Sequence, residues 1–424
     1  MTATRREFIK TAGAAIASSQ ILPQSVVIEA PGAAPAAVMK PRVEPPSPGG
    51  RRKVIYDQDN YGPFGTDILG TLMMLQADNI DLLGITLVTG DDWMKQEMAF
   101  TLRLLEMMDR TDVPVYPGAE FPMLNTKEEW QLRQQLYGGH RLDPWMGAFN
   151  RAHGGADDIT PLPPPYDHFA MLKSQPDHAA RFIIKTVREN PGQVTIYAGG
   201  PLTNLALAIA LAPDIVPLVP EVVFMGTGFH VFTNAFNVFF DPEAARKVLR
   251  APWPKFTIVT VDLSEQIHEG DEFTPDRNAA ARKMVEEIAA RAASPIADLF
   301  QRYAVEPLRR DPNQRLFRMA DEMIAAQIID PSIFTKSASM YVDICSTPGP
   351  RYGDSMFWPE NWQDVLDLGK LPVSPEDRRV FVDPRQFYLG PPPSAGLVNV
   401  LLEVDPDRFK KLFVELMTKP IDHT

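Results

Sequence analysis

Six short, near-continuous apolar runs rich in β-branched residues recur along the chain, and they restrict its fold more than any other property. They are KVIYD (53–57), LLGITLV (82–88), VPVYP (113–117), QVTIYA (193–198), EVVFMG (221–226) and FTIVTVD (256–262). Helical periods fall between them, from Asp67 to Ala77, Lys95 to Asp109, His178 to Glu189, Leu202 to Ala212 and Pro242 to Leu249. Continuous rather than alternating apolarity marks strands covered on both faces, as in a parallel sheet. Strand then helix, repeated, predicts a doubly wound α/β fold: a mainly parallel central sheet flanked by helices around a Rossmann-like core. Ligands bind beyond the carboxyl ends of the strands in such sheets, so residues there are the first candidates for function.

The stretch from Pro122 to about Phe169 breaks the rhythm. It carries His140, Trp145, His153 and the run PLPPP (161–165), and so long an insertion reads as a lid or pocket wall. Further helices are expected from Pro275 to Tyr303 and from Phe317 to Ile328. A last strand and a closing amphipathic helix follow in LVNVLLEVDPDRFKKLFVELMTK (397–419).

The beginning of the chain reads as an address. TRREFIK (4–10), followed by the weakly apolar TAGAAIASSQIL, resembles a twin-arginine export signal, which implies a periplasmic or secreted protein. Residues 23 to 50 are rich in Pro, Ala and Gly and have the composition of a linker. The expected organisation is therefore a signal and linker over 1–50 and one folded domain over 51–424. No later apolar run approaches the roughly 20 residues of a membrane span. A net charge of −12 argues against nucleic acid or an anionic membrane as partner. The single cysteine, Cys345, excludes an internal disulfide and a cysteine-rich zinc site.

The chemistry concentrates in VIYDQDNYGPFGTDILGTLMML, where Asp57, Asp59, Asn60 and Asp67 lie between a strand end and a helix start. Carboxylates so placed suit a hard cation, although Asp-x-Asp also occurs in phosphatases with an aspartate nucleophile, and Asp is common in turns. AGGPLTNLALA (198–208) again follows a strand and opens a helix. TNAFNVFFDPEAARKVL (233–249) sets Asn237 four residues before a helix start at Asp241, which reads as an N-cap. RMADEMIAAQIIDPSIF (318–334) puts Asp321 at the start of an apolar helix.

In this order, Asp-x-Asp…Asp, GPLTN, FN…DPEAA and an acid before an apolar helix ending in DPS resemble the calcium-dependent nucleoside hydrolases. Echoes in GITLVTG, VPVYPGA, VVFMGTG and TVDLSEQI extend the resemblance over roughly residues 53 to 415. It implies a nucleoside hydrolase fold and cleavage of the N-glycosidic bond of a small-molecule nucleoside or related glycoside, in a dimer or tetramer. It also implies a Ca²⁺ ion held by Asp59, Asp67, Asp321 and the carbonyl of Gly199. Asp59 would be the base that deprotonates the attacking water, Asp57 would line the site, and Asn237 would bind the sugar.

The chain departs from the family's pattern at four positions. Thr66 replaces the first of two adjacent acids, Asp91 an Asn, Ala235 an acid near the sugar, and Ala320 a His that protonates the leaving base. The expected substrate contacts are then Asp57, Thr66, Asp91 and Asn237, with His153 and His230 as replacement proton donors. Trp93, Phe229, Phe232 and Phe236 are candidates to stack on a flat leaving group. The alternative is a non-catalytic periplasmic protein that binds sugars or nucleosides on the same fold.

Overall fold

The computed structural model describes residues 50–137, 146–228, 235–267, 277–311, 319–361 and 390–421. The expected export signal and linker lie outside these residues, as do His140, Trp145, Phe229, His230 and Phe232. Among the described residues no helix is long and apolar enough to cross a membrane.

Among the described residues nine strands form one sheet: β1 (Arg52–Gln58), β2 (Ile80–Leu87), β3 (Val115–Tyr116), β4 (Val194–Ala198), β5 (Glu221–Met225), β6 (Phe256–Val259), β7 (Phe334–Ile344), β8 (Ser355–Pro359) and β9 (Gly396–Val404). Their order is β3-β2-β1-β4-β5-β6-β9-β7-β8. The first seven in that order pair in parallel, while β7 runs antiparallel to both β9 and β8. The expected doubly wound, mainly parallel sheet is thus present. Its winding reverses between β1 and β4, the place where such sheets bind ligands.

The helices are α1 (Thr66–Gln76), α2 (Met94–Met107), α3 (Lys127–Tyr137), α4 (Ala179–Glu189), α5 (Thr203–Leu211), α6 (Phe236–Phe240), α7 (Pro242–Leu249), α8 (Val261–Ile267), α9 (Arg277–Arg291), α10 (Ser294–Phe300), α11 (Glu306–Arg310), α12 (Asp321–Ile329) and α13 (Pro406–Thr418). The expected helix from Pro275 to Tyr303 is broken after Arg291. Pro295 lacks the N–H a continuing helix needs and instead opens a new one.

Alternate side chains of β1 serve two cores. Val54 and Tyr56 pack with α1, α2, α12 and α13, while Ile55 packs with β4, α4, α5 and α7. Helix α1 is buried from Asp67 through Gln76, and α12 from Asp321 through Gln327 and Ile328. Two helices apolar on all sides can only lie inside. They cross at Gly70, where a Cβ would stand 3.2 Å from the Asp321 Cβ. That close crossing brings the acidic starts of α1 and α12 together.

The insertion after Pro122 contains α3 and two short 3₁₀ turns, Gly147–Phe149 and Arg151–His153. Trp130 and Phe149 pack with Trp93, Phe239 and Phe240 in a third apolar cluster. The Ala148 N–H donates to the Gly90 carbonyl at 2.8 Å, and the Trp93 indole donates to the Gly154 carbonyl at 3.2 Å. The insertion is therefore a wall built onto the end of β2, as its length suggested.

Candidate active site

The last residues of β1 divide the work between them. Asp57 is buried, and its Oδ1 accepts from the Thr86 hydroxyl at 2.5 Å and the Asn204 amide at 2.8 Å. Asn204 also donates to the Leu87 carbonyl and accepts from the Ala119 N–H. It thereby ties together the ends of three strands or their loops. Burial raises the Asp57 carboxyl to about 6. Asp57 holds the framework under the site through its Oδ1.

Asp59 is gripped by backbone. Its Oδ2 accepts from the Asp91 N–H at 3.0 Å. A Cβ on Gly90 would lie 2.1 Å from Oδ2, and one on Gly200 would lie 2.7 Å from Oδ1. Only glycine allows both loops so close.

Asp67, in the first turn of α1, accepts from the Gln58 amide at 2.9 Å. Beneath it, the rings of Tyr56 and Tyr197 stack with centroids 4.1 Å apart. The Tyr56 hydroxyl donates to the Asp67 carbonyl at 3.3 Å, and the Tyr197 hydroxyl to the Asp321 carbonyl at 3.1 Å.

Asp59, Asp67 and Asp321 are each less than 5 % exposed. Burial raises all three carboxyls, and their mutual repulsion adds to it for Asp59 and Asp67. Asp67 and Asp321 lie close enough to shift one another, and Asp91 raises both Asp59 and Asp67. Glu97 and Glu322, also buried, are raised chiefly by desolvation. Buried unpartnered oxygens remain on Asp57, Gln58, Glu97 and Glu322.

A hard cation suits this donor set. It is composed of oxygens and crowded with carboxylates, and buried oxygens without partners lie around it on Asp57, Gln58, Glu97 and Glu322. As placed, no three His, Cys, Asp or Glu side chains among the described residues converge as a closed metal site.

On the expected sugar side, Thr66 and Asn237 both bond to other parts of the protein. Thr66 takes N–H bonds from Ala320 and Asp321 and donates to Glu322. Those bonds use the hydroxyl's one proton and both lone pairs, so Thr66 is tied into the framework around the site. Asn237 stands by the site, donating to the carbonyls of Gly199 and Met225. A ligand is left its Oδ1, which accepts. The Gly199 carbonyl thus has one protein donor already and a second lone pair to offer. Asp241 accepts from the Ala244 N–H as the N-cap its motif suggested.

On the other side, His153 Nδ1 is 3.0 Å from Asp92 Oδ1, and its ring meets Tyr61 edge-on with centroids 5.5 Å apart. Burial, then Asp92, Asp91 and Asp67, raise the Tyr61 hydroxyl. His153, Tyr61, Asp91 and Asp92 therefore border the acidic cluster. Trp93 and Phe236 belong to the packed aromatic cluster of the wall. A cavity of about 200 Å³ lined by Arg51, Gln76, Arg110 and Lys419 lies at the opposite end of the sheet. Arg110 and Lys419 are spent there on the last carbonyls of α1.

Sequence reasoning gave no role to Gln58, Glu97, Asn204 or Glu322. Asn204 stood inside the quoted GPLTN motif. Gln58 stood between two singled-out aspartates.

The family model of the inosine-uridine preferring nucleoside hydrolases matches residues 54–411. A pyrimidine-specific ribonucleoside hydrolase, RihB, of Escherichia coli is 29% identical over 310 residues, 72% of this chain and 86% of that protein. An uncharacterised protein of Schizosaccharomyces pombe is 29% identical over 294 residues, 67% of this chain and 86% of its own length. A plant nucleoside hydrolase structure superposes with a TM-score of 0.62 at 23% identity, covering 87% of this chain and 99% of the other. A purine-preferring ribonucleoside hydrolase from Gardnerella vaginalis gives 0.60 at 20%, covering 87% and 98%. With its acidic cluster at the reversal point of a doubly wound sheet and this match across most of its length, the chain belongs to the inosine-uridine preferring nucleoside hydrolase family and is an N-glycosyl hydrolase of the nucleosidase kind.

Proposed function

We propose that the protein hydrolyses the N-glycosidic bond of a nucleoside at the Asp59–Asp67–Asp321 cluster with Ca²⁺ bound there. The observation that carries this reading is the set of buried carboxylates with no lysine or arginine partner among the described residues, at the ligand-binding end of the sheet. Asp59, Asp67, Asp321 and the Gly199 carbonyl would hold the ion. When bound, such an ion acidifies and orients a water and grips sugar hydroxyls.

The chain's own groups do the rest. Asp59, fixed by the Asp91 N–H and flanked by glycines, takes a proton from the attacking water. Positive charge builds on the sugar as the bond breaks, and the surrounding carboxylates favour it. The Asn237 Oδ1 receives a sugar hydroxyl. His153, oriented by Asp92, gives a proton to the departing base in place of the residue at Ala320.

Pyrimidine and purine nucleosides are both named among the relatives, so both belong in the assay. Calcium content of the purified chain and release of free sugar from uridine, inosine and adenosine test the proposal. Loss of both bound calcium and turnover in Asp59→Ala and Asp321→Ala is expected, and activity persisting in both variants overturns it. The saturated Thr66 hydroxyl and the alanines at 235 and 320 favour a second reading, a binding protein on the same fold. Bound calcium with tight nucleoside binding and no turnover would select it. Export through the twin-arginine signal is part of the proposal, and Arg5→Lys with Arg6→Lys should retain the protein in the cytoplasm.

A further inference from the structure

We propose that Thr66 is a positioning residue that sets the geometry of Asp321 relative to Asp67. This rests on the reading of those two aspartates as cation ligands. A threonine hydroxyl has one proton and two lone pairs. The Ala320 and Asp321 N–H groups donate to it at 2.9 and 2.8 Å and use both lone pairs. Its proton can then only go to Glu322 Oε2, 2.6 Å away.

Helix α12 needs this arrangement because Ala320, at its N-cap, has no side-chain oxygen to cap it. The cap comes instead from the first residue of α1, 255 residues earlier in the chain. Since Asp67 follows Thr66 directly and Asp321 is the first residue of α12, one hydroxyl fixes the starts of both acid-bearing helices against each other. The Tyr197 hydroxyl on the Asp321 carbonyl holds the same turn from below.

The residue type follows from this. Valine matches the shape but leaves two N–H groups and the buried Glu322 without partners. Aspartate accepts both N–H bonds but, when ionised, has no proton for Glu322 and would set two buried acids face to face. Serine keeps all three bonds.

The test is calorimetric titration of the full chain with Ca²⁺, paired with steady-state kinetics on the best nucleoside at saturating Ca²⁺. Thr66→Val should weaken Ca²⁺ binding by about 10–100-fold, as loss of a group supporting a metal ligand does. KM at saturating Ca²⁺ should change by less than about threefold, and Thr66→Ser should restore Ca²⁺ affinity to within about threefold of the parent. Thr66→Val with unchanged Ca²⁺ affinity overturns the proposal, and a raised KM alongside it returns Thr66 to the substrate. Should Thr66→Val fail to fold, Glu322→Leu removes the acceptor of the same hydroxyl and should weaken Ca²⁺ by at least about threefold. Unchanged affinity in that variant overturns the proposal equally. A parent protein that binds no Ca²⁺ removes the cation reading and this inference together, whereas normal binding in the parent and in Thr66→Val removes the inference alone.

Discussion

Replacing Gly90 by alanine tests how Asp59 is held. The added methyl would stand 2.1 Å from Asp59 Oδ2 and 2.7 Å from both its Cβ and Cγ. An ordinary carbon–oxygen contact requires the carboxylate to retreat by about 1 Å, a displacement that can cost an active site about 100-fold in rate. The far side is closed, because the Gly200 backbone lies against Oδ1 and the Asp59 main chain. The Gly90 loop cannot yield freely either, since its carbonyl holds the Ala148 N–H of the wall. Overpacking of this kind costs about 1–3 kcal/mol of stability. Urea denaturation of the parent, Gly90→Ala, Asp59→Ala and the double variant isolates the clash. Without the Asp59 carboxylate the methyl has room, so a coupling of about 1–3 kcal/mol is expected between the two substitutions. Nucleoside hydrolysis by Gly90→Ala should fall about 100-fold. Equal destabilisation by Gly90→Ala in both backgrounds, or activity close to the parent's, refutes the grip.

Acidity gives a second prediction. Asp57 and Asp321 are raised to about 6 and their neighbours are raised too, so the folded protein without cation binds protons more tightly than the unfolded chain. Its stability should therefore fall as pH climbs from about 4 through 6, by up to about 1.4 kcal/mol per pH unit for each such group. Added Ca²⁺ should raise the melting temperature more at pH 7.5 than at pH 5, and an increment independent of pH contradicts this. Asn204→Ala strands the Ala119 N–H and the Leu87 carbonyl and should cost about 2–3 kcal/mol in urea denaturation. A cost below about 0.5 kcal/mol would mean water replaces the side chain. His153→Ala should slow uridine or inosine cleavage by about 100-fold or more while sparing a nitrophenyl riboside, whose leaving group needs no proton. Equal loss on both substrates would rule out His153 as the acid.

Continuous apolar runs located the six parallel strands from β1 to β6 because burial on both faces leaves a direct mark on composition. The antiparallel pair β7 and β8 was not among those runs for the converse reason: TKSASMY is largely polar and exposed, so it lacks the continuous apolarity of the buried strands. Asp59, Asp67 and Asp321 were legible through motif order, and the structure brings them together. The bonds of Thr66 were not legible because its three partners, Ala320, Asp321 and Glu322, lie at the start of α12, beyond the reach of any local pattern. Gln58, Glu97 and Glu322 were invisible on similar grounds. Each is an ordinary polar residue until folding buries it beside the acids.

The distance along the chain between the starts of α1 and α12 has a consequence for how the molecule matures. Thr66 and Asp321 stand 255 positions apart and meet only after all the chain between them has been synthesised. A nascent or truncated chain ending before α12 has the first two acids but no third. A ligand that binds only the finished site adds RT ln(1 + [L]/Kd) to the stability of finished molecules alone. The cation proposed for this site would thus act as an inspector of completion, separating whole molecules from nearly whole ones before any substrate arrives.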